Sequence, residues 1–294
     1  MSDSIIFGLP GNDALAASLC SALQGRPGQL EQRHFPDDES YLRVASDVYG
    51  TSAVLVCALD RPDTKLLPLA FAADTLRDLG VRRVGLVAPY LAYMRQDRRF
   101  HPGEAVTSRT FAKLLSQHVD WLVTVDPHLH RYHALTEIYT IPAEVVHAAA
   151  PMAKWIREHI TRPLLIGPDR ESAQWVSEVA TAAGADYVVC DKERRGDREV
   201  SIVMPDLSNY MDRQAVLIDD VASSGRTLSV AAGQLQAMGF AKPDCLVVHP
   251  LFAGDSFEVL SQATRQIAST NTINHESNQI DIAEAIGQKV RSLL

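Results

Sequence analysis

Residues 215–228 read AVLIDDVASSGRTL and combine side chains that could bind a sugar phosphate. An apolar run leads directly into Asp219 and Asp220, a pattern typical of the C-terminal end of a buried parallel strand. Small residues with Gly225 follow, and then a helix-forming stretch, so a strand-to-helix turn is predicted. Backbone N–H groups in such a turn suit a phosphate, and the carboxylates could accept hydrogen bonds from sugar hydroxyls or hold a cation. The same pattern is also typical of an ordinary strand–turn–helix with a polar turn.

Two basic clusters stand out from an otherwise acidic chain. The formal net charge is −8, which argues against binding to nucleic acid, because that binding needs a broad basic surface. One cluster lies in YMRQDRRF at 93–100 and the other in DKERRGDREV at 191–200. Basic runs often form a solvated face, but in apparent loops of an acidic protein they favour small anionic ligands.

The composition is that of a soluble globular protein. The 294 residues are enough for two domains, with 46% hydrophobic and 22% charged residues. No apolar run approaches the roughly 20 residues of a membrane span, and the first residues lack the pattern of a signal peptide. The cysteines are scattered, which favours buried thiols in the reducing cytoplasm.

Short apolar runs alternate with helical patterns along most of the chain. The predicted strands are 4–9, 52–59, 84–90 and 121–126 in the first half, and 163–169, 186–191, 215–220 and 245–250 in the second. The predicted helices are 12–24, 63–79, 107–118, 150–160, 171–183, 226–239 and 281–293. This alternation predicts an α/β fold with two mostly parallel sheets flanked by helices. We expect domains at 1–147 and 148–294, with the last helix able to pack back on the first domain.

Charged segments follow five of these strands, at the sheet edge where ligands bind in open α/β sheets. With these segments in place, the chain resembles the ribose-phosphate pyrophosphokinases over nearly its whole length. The matching pieces, in the family's order, are GND at 11–13, HFPDDES at 34–40, PYLAYMRQDRRFHPGE at 89–104, TVDPHLH at 124–130, GPD at 167–169, DKERRGDREV at 191–200, LIDDVASSGRT at 217–227 and STNTI at 269–273. The RQDRRF, TVDPH and basic segments together are far more specific than any single piece.

The resemblance implies both a fold and a reaction. The fold has two phosphoribosyltransferase-like domains, with ATP on the first and ribose 5-phosphate on the second. The reaction transfers the β,γ-diphosphoryl group of ATP to the 1-hydroxyl of ribose 5-phosphate, with Mg²⁺ as cofactor, and yields AMP and phosphoribosyl pyrophosphate for nucleotide biosynthesis. The family usually forms hexamers built from dimers. We therefore expect a cytoplasmic homo-oligomer, hexameric or smaller, in which a neighbouring subunit completes the ATP site.

The resemblance also implies which residues form the site. The ribose 5-phosphate loop corresponds to Asp219, Asp220, Ser223, Ser224, Gly225 and Thr227. The ATP-binding segments correspond to Phe35, Asp37, Glu39, Arg95, Gln96, Asp97 and His101. The catalytic basic pair corresponds to Lys192 and Arg194, whose charges suit a developing diphosphoryl group. Two positions depart from the usual pattern: Glu193 leaves Arg195 as a second candidate for the catalytic arginine, and Asp38 replaces the usual glycine of a turn.

The same comparison implies a metal site. His128 corresponds to a Mg²⁺ ligand, and Asp169 corresponds to a carboxylate near the metal and the ribose. Histidine is an unusual ligand for Mg²⁺, which prefers oxygen atoms and keeps several waters. The spacing of His128, His130 and His133 could also hold zinc, but no cysteine or further ligand cluster supports zinc, so we rank Mg²⁺ above it.

Two other functions share parts of this pattern. A phosphoribosyltransferase shares the loop at 219–227, but it leaves the RQDRRF, HFPDDE and DKERRGDREV segments without a purpose. A non-catalytic regulatory homologue of the synthetases would be expected to lack the catalytic lysine, the metal histidine or the ribose aspartates. This chain keeps Lys192, His128 and both aspartates of the loop, which favours the active enzyme.

Overall fold

The computed structural model of the protein describes residues 3–129, 131–195 and 199–294. The chain forms two compact units: one contains the chain up to His147 together with Ile282–Leu294, and the other is Ala148–Asp281. The C-terminal segment therefore belongs to the first unit, whereas the sequence places it in the second domain with a last helix able to pack on the first. None of the helices in the described ranges combines the length and apolar character that crossing a bilayer requires.

The first unit is built on a six-stranded parallel sheet. The strands of this unit, inside and outside the sheet, are β1 (Ser4–Gly8), β2 (Arg26–Pro27), β3 (Leu30–His34), β4 (Ser40–Val44), β5 (Ser52–Val56), β6 (Arg83–Ala88), β7 (Trp121–Val125) and β8 (Ala143–Val146). Its helices include α1 (Asp13–Leu23), α2 (Pro62–Asp78) and α3 (Thr107–His118). The sheet order is β2-β1-β5-β6-β7-β8, while β3 and β4 form a separate antiparallel hairpin.

The second unit repeats this plan. Its helices are α4 (Ala149–His159), α5 (Ala173–Ala183), α6 (Arg226–Ala237) and α7 (Ser256–Ala263). Its strands are β9 (Pro163–Gly167), β10 (Asp186–Val189), β11 (Asp191–Arg195), β12 (Glu199–Val203), β13 (Gln214–Ala222), β14 (Asp244–Pro250), β15 (Gln266–Thr270) and β16 (Asn278–Ile280). The parallel sheet has the order β10-β9-β13-β14-β15-β16, and β11 pairs with β12 in an antiparallel hairpin. The final helix, α8 (Ala283–Arg291), packs on α1 in the first unit.

The fold follows from strands that are covered on both faces. All five residues of β5 and all seven of β14 are buried, as expected for the middle of a parallel sheet between helical layers. The helices contribute apolar stripes to the same cores, such as Leu69 and Leu76 of α2 and Leu115 of α3. The predicted α/β class with two mostly parallel sheets is confirmed.

Several short elements do not appear in the sequence prediction. The β3–β4 hairpin, β8, α7, β15 and β16 are absent from it, and the predicted strand at 186–191 ends earlier, at Val189. The β3–β4 hairpin is largely exposed and carries charged residues, so it lacks the apolar run that indicates a buried strand. These elements depend on pairing and packing more than on local sequence.

Candidate active site

The turn after β13 has the geometry that the sequence predicts. Asp219 and Asp220 lie in the last part of the strand, and Ser223 and Ser224 lead to Gly225 at the N-terminus of α6. Gly225 has φ 63° and ψ −5°, a left-handed conformation that glycine adopts without a steric penalty. A Cβ atom at Gly225 would lie 3.3 Å from the carbonyl oxygen of Ser256. Both the backbone conformation and the space around this position therefore favour glycine.

A second carboxylate segment lies at the same edge of the sheet. β9 pairs in parallel with β13, with Ile166 opposite Leu217, so the residues that follow both strands come together. Asp169 follows β9, and its carboxylate accepts a hydrogen bond from the N–H of Ser172 at 3.2 Å. The Ser172 hydroxyl donates to the Asp169 carbonyl at 2.6 Å. The loop that carries Asp169 is therefore held locally, next to the turn after β13.

The carboxylates at this edge interact through their charges. The N–H of Asp220 donates to Oδ1 of Asp219 at 3.0 Å. Burial raises the pKa of Asp219 well above its usual value, and the negative charges of Asp220 and Asp169 raise it further. Ionised Asp219 is thus electrostatically unfavourable unless hydroxyl donors or a cation approach it. This edge of the sheet is suited to a sugar or to a cation.

The basic segment forms the start of the β11–β12 hairpin. The backbone register pairs Lys192 with Ile202 and Arg194 with Val200. The side chains of residues 192–195 and 199–201 lie outside the described part of the structure, so the catalytic roles of Lys192, Arg194 or Arg195 stay predictions. At the start of β11, Nη2 of Arg170 donates to Asp191 at 3.1 Å, which joins the loop after β9 to the hairpin.

In the first unit, Gln96 and Asp97 are bound to protein groups. Gln96 accepts a hydrogen bond from the Thr107 hydroxyl at 3.2 Å. The side chain of Asp97 is only 3% exposed, and its two oxygens accept hydrogen bonds from Nη1 of Arg131 at 2.8 and 2.9 Å. The Tyr132 hydroxyl also donates to the Asp97 carbonyl at 3.1 Å. Asp97 is thus a buried anchor for Arg131, which the sequence analysis did not identify.

The contact between Asp97 and Arg131 could not be read from spacing. The two residues are 34 positions apart in the chain. They meet because β6 and β7 are adjacent parallel strands, and both residues lie in the loops that follow these strands. Arg131 is partly exposed, and its guanidinium lies 5.6 Å from the centre of the Phe100 ring. It adds a positive charge at the edge where Arg95 also lies.

His101 lies on an exposed turn of the same loop. The backbone N–H groups of Phe100 and His101 donate to Oε2 of Glu104 at 2.7 and 3.0 Å. These hydrogen bonds lower the pKa of Glu104. The turn presents the His101 side chain to solvent, where it is accessible to a ligand.

Phe35, Asp37 and Glu39 lie at the exposed end of the β3–β4 hairpin. The Arg33 guanidinium lies 4.8 Å from the centre of the Phe35 ring, and Phe35 is 41% exposed. Asp38, which replaces the usual glycine of this turn, has φ 66°. The turn therefore keeps the left-handed conformation with an aspartate, a residue that adopts it more readily than most others.

His128 lies in a tight turn after β7. Its N–H donates to the carbonyl of Asp126 at 2.9 Å, and both residues have positive φ, 56° and 32°. Oδ1 of Asp126 lies 2.9 Å from Nδ1 of His147. Across the described ranges, no group of three or more His, Cys, Asp or Glu side chains is arranged to hold a metal ion. The predicted neighbour His130 lies outside the described residues.

The sheet order and the turn after β13 define a protein built from phosphoribosyltransferase-type units. Two family models match: the N-terminal domain of ribose phosphate pyrophosphokinase over residues 4–118, and the phosphoribosyl transferase domain over residues 134–255. The chain belongs to the ribose-phosphate pyrophosphokinase family, and it is an enzyme of that type.

Relatives match over nearly the whole chain. A ribose-phosphate pyrophosphokinase of Saccharolobus solfataricus is 33% identical over 289 residues, which cover 96% of this chain and 98% of the relative. The protein of the same name from Methanopyrus kandleri is 31% identical over 282 residues and covers 95% and 96%. The crystal structure of phosphoribosylpyrophosphate synthetase from Mycobacterium smegmatis has a TM-score of 0.84 at 20% identity over 99% of both chains, so the two share a fold.

Proposed function

We propose that this enzyme transfers the β,γ-diphosphoryl group of ATP to the 1-hydroxyl of ribose 5-phosphate, giving AMP and phosphoribosyl pyrophosphate. The observation that carries the proposal is the edge of the second sheet, where Asp169, Asp219 and Asp220 lie beside a glycine turn at a helix N-terminus. The first unit supports it, because its match to a pyrophosphokinase domain is not explained by phosphoribosyl transfer alone.

The second unit would bind ribose 5-phosphate. The amides and hydroxyls of residues 223–227, including Ser223, Ser224 and Thr227, would hold the 5-phosphate at the N-terminus of α6. Asp219 and Asp220 would accept hydrogen bonds from the ribose hydroxyls. These donors would offset the burial and the like charges that raise the pKa of Asp219. Binding of the sugar would therefore lower the unfavourable electrostatic energy of ionised Asp219.

The first unit would bind ATP. Arg95 would pair with phosphate oxygens, and Gln96 and His101 would contact the nucleotide. Asp97, which is buried, would contribute by holding Arg131 in place rather than by direct contact. On the hairpin, the ring of Phe35 would stack on adenine, with the carboxylates of Asp37 and Glu39 accepting from the exocyclic amine.

The chemistry of the transfer requires alignment and charge stabilisation more than covalent participation. The 1-hydroxyl of the ribose attacks the β-phosphorus, and AMP leaves. Lys192 and Arg194 of β11 would stabilise negative charge on the transferring group, with the ammonium as a point charge and the guanidinium as a planar fork. Arg195 is the alternative to Arg194 in this role.

Mg²⁺ fits the carboxylates at this edge. Mg²⁺ is usually held by one or two carboxylates together with substrate phosphates and waters, so it does not need a cage of protein ligands. Burial and then the negative charges of Asp220 and Asp169 raise the pKa of Asp219, and a divalent cation would offset both effects. Asp169 is the residue at this edge that we propose to contact Mg²⁺, which when bound would neutralise phosphate charge. The role of His128 as a Mg²⁺ ligand stays a prediction from the family resemblance.

We also propose that the enzyme is a cytoplasmic homo-oligomer, built from dimers and hexameric or smaller. The exposed Phe35 at the end of the β3–β4 hairpin supports this, because it places an aromatic ring where a second copy could use it. Light scattering coupled to size-exclusion chromatography gives the molar mass directly. A monomer that turns over at full rate would contradict the proposed shared ATP site.

The test of the proposed reaction is ³¹P NMR with Mg²⁺, ATP and ribose 5-phosphate. AMP and phosphoribosyl pyrophosphate should appear in equal amounts. Lys192→Ala should slow their formation strongly, whereas Lys154→Ala, which removes a surface lysine of α4, should leave it unchanged. ADP in place of AMP would mean a simple kinase or ATPase. Binding of either substrate without turnover would instead favour a regulatory homologue.

A further inference from the structure

The turn at residues 223–225, which we call the phosphate turn, is hydrogen-bonded to residues 252–257, which we call the supporting segment. The N–H of Ala253 donates to the Ser223 carbonyl at 2.8 Å, and the Ser256 hydroxyl donates to the same carbonyl at 3.2 Å. The carbonyl oxygen of Ser256 also lies against Gly225. The position of the phosphate turn therefore depends on this supporting segment.

The supporting segment has a strained conformation at its start. Phe252 has φ 34°, although it is a bulky residue, and its N–H donates to the Ala222 carbonyl at 2.9 Å. Such a backbone conformation costs on the order of 1–3 kcal/mol and persists only where surrounding contacts hold it. The Phe252 side chain must therefore be fixed by its neighbours.

His275 is one of the residues that contact this ring. Its ring centre lies 4.9 Å from that of Phe252 and 4.6 Å from that of Phe257, and the two phenylalanine rings lie 5.2 Å apart. The three rings form one cluster, with His275 contributed by the connection between β15 and β16. Aromatic clusters of this geometry contribute about 0.5–1.5 kcal/mol per pair beyond the burial of apolar area.

The imidazole is itself held in one orientation. The N–H of Ser277 donates to Nδ1 of His275 at 3.1 Å, and the Ser277 hydroxyl oxygen lies 2.8 Å from the same nitrogen. The backbone N–H of His275 donates to Oδ1 of Asn278 at 3.0 Å. Burial lowers the pKa of His275, and this effect outweighs the opposing charges of Glu276 and Glu258.

We infer that His275 is a positioning residue for ribose 5-phosphate: it holds Phe252 and Phe257, and through them the phosphate turn. This inference rests on the proposed function of that turn. The contacts run from His275 through the supporting segment to the Ser223 carbonyl, all within the second unit. Loss of the imidazole should therefore weaken binding of the sugar phosphate and leave binding of ATP unchanged.

The experiment compares three variants of His275 with a matched control. His275→Ala removes the ring and the acceptor, His275→Phe keeps the ring, and His275→Asn keeps an acceptor near the position of Nδ1. The control is His159→Ala, which removes another histidine of the second unit that stacks on an aromatic ring, Trp155, at 4.4 Å. The KM values for ribose 5-phosphate and ATP are measured for each full-length protein, together with hydrogen exchange of the Ala253 amide without substrates.

His275→Ala should raise the KM for ribose 5-phosphate about tenfold, as small misplacements of binding groups do, with less than about a twofold change for ATP. Exchange at Ala253 should accelerate in His275→Ala. His275→Phe or His275→Asn should show a smaller rise in KM and a smaller acceleration of exchange than His275→Ala. Unchanged exchange at Ala253, or an equal rise in both KM values, would overturn the inference. If exchange accelerates but the unmodified protein neither binds nor turns over ribose 5-phosphate, the proposed function fails and so does the assignment of this role to His275.

Discussion

Replacement of Gly225 by alanine tests the phosphate turn directly. Gly225 and Gly184 both have left-handed backbones, with φ 63° and 67°, so alanine at either position should cost about 1–2 kcal/mol of stability. They differ in their surroundings. A Cβ at Gly225 would meet the Ser256 carbonyl oxygen at 3.3 Å, whereas nothing lies within 4 Å of a Cβ at Gly184. Gly184→Ala is therefore a control that carries the conformational cost alone.

The extra contact at Gly225 should move the turn and not merely strain it. The atom that a new Cβ would meet belongs to backbone, so relief requires a shift of a few tenths of an ångström in the turn or in the supporting segment. We expect the KM for ribose 5-phosphate to rise about tenfold or more in Gly225→Ala, equivalent to about 1.4 kcal/mol of lost binding. Gly184→Ala should keep the KM of the unmodified protein.

The assay is steady-state production of AMP at varied ribose 5-phosphate, with thermal unfolding of each variant measured alongside. Both variants should lower the apparent Tm, Gly225→Ala at least as much as Gly184→Ala, and only Gly225→Ala should change the KM for the sugar phosphate. If Gly225→Ala unfolds like Gly184→Ala but binds ribose 5-phosphate normally, the turn after β13 does not hold the phosphate.

Three further predictions follow from the electrostatics. Asp219→Asn removes a charge that is unfavourable in the ligand-free protein, so stability should rise by about 0.5–2 kcal/mol while turnover falls; an unchanged Tm would contradict the charge argument. Arg131→Gln leaves the buried Asp97 without its cation and should cost about 2 kcal/mol in urea unfolding. Adding Asp97→Asn to Arg131→Gln should recover most of the lost unfolding free energy. If the effects of the two substitutions on that free energy are additive, the coupling is refuted. Below about pH 6.5 the unfolded chain takes up a proton at His275 before the folded protein does, because the folded pKa is lowered. The stability from neutral His275 is therefore complete above that pH and lost as the pH falls, and His275→Asn should flatten this part of the curve of Tm against pH; parallel curves would contradict it.

The main elements of the fold are predictable from hydrophobic periodicity. Fully apolar runs such as 53–56 and 245–248 indicate buried parallel strands, and the segments between them have helical patterns. The short β3–β4 hairpin and α7 are not predictable in this way, because their residues are only partly buried and their pairing supplies the stabilisation. The association of the C-terminal helix with α1 also depends on packing that a linear pattern does not reveal.

The candidate site was likewise only partly predictable from the sequence. Acidic and glycine-rich segments at strand ends could be identified from the chain, because parallel strands deliver their C-terminal ends to one edge. The partners of individual side chains could not be identified: the hydrogen bond from Arg131 to the buried Asp97 joins residues 34 positions apart. Similarly, no pattern in the chain indicates the contact between His275 and Phe252, which arises only when the β15–β16 connection reaches the supporting segment.

The sequence by itself determined the class of fold and the family, and it indicated the segments that we propose to carry the chemistry, because these depend on residue types in local order. Only the tertiary structure decided which side chains meet. It placed Asp169 within electrostatic reach of Asp219, so that burial and like charge raise the pKa of Asp219. It also placed the carbonyl oxygen of Ser256 next to Gly225. Both results depend on contacts between residues far apart in the chain, and on a desolvation that exists only once the sheets and helices have packed.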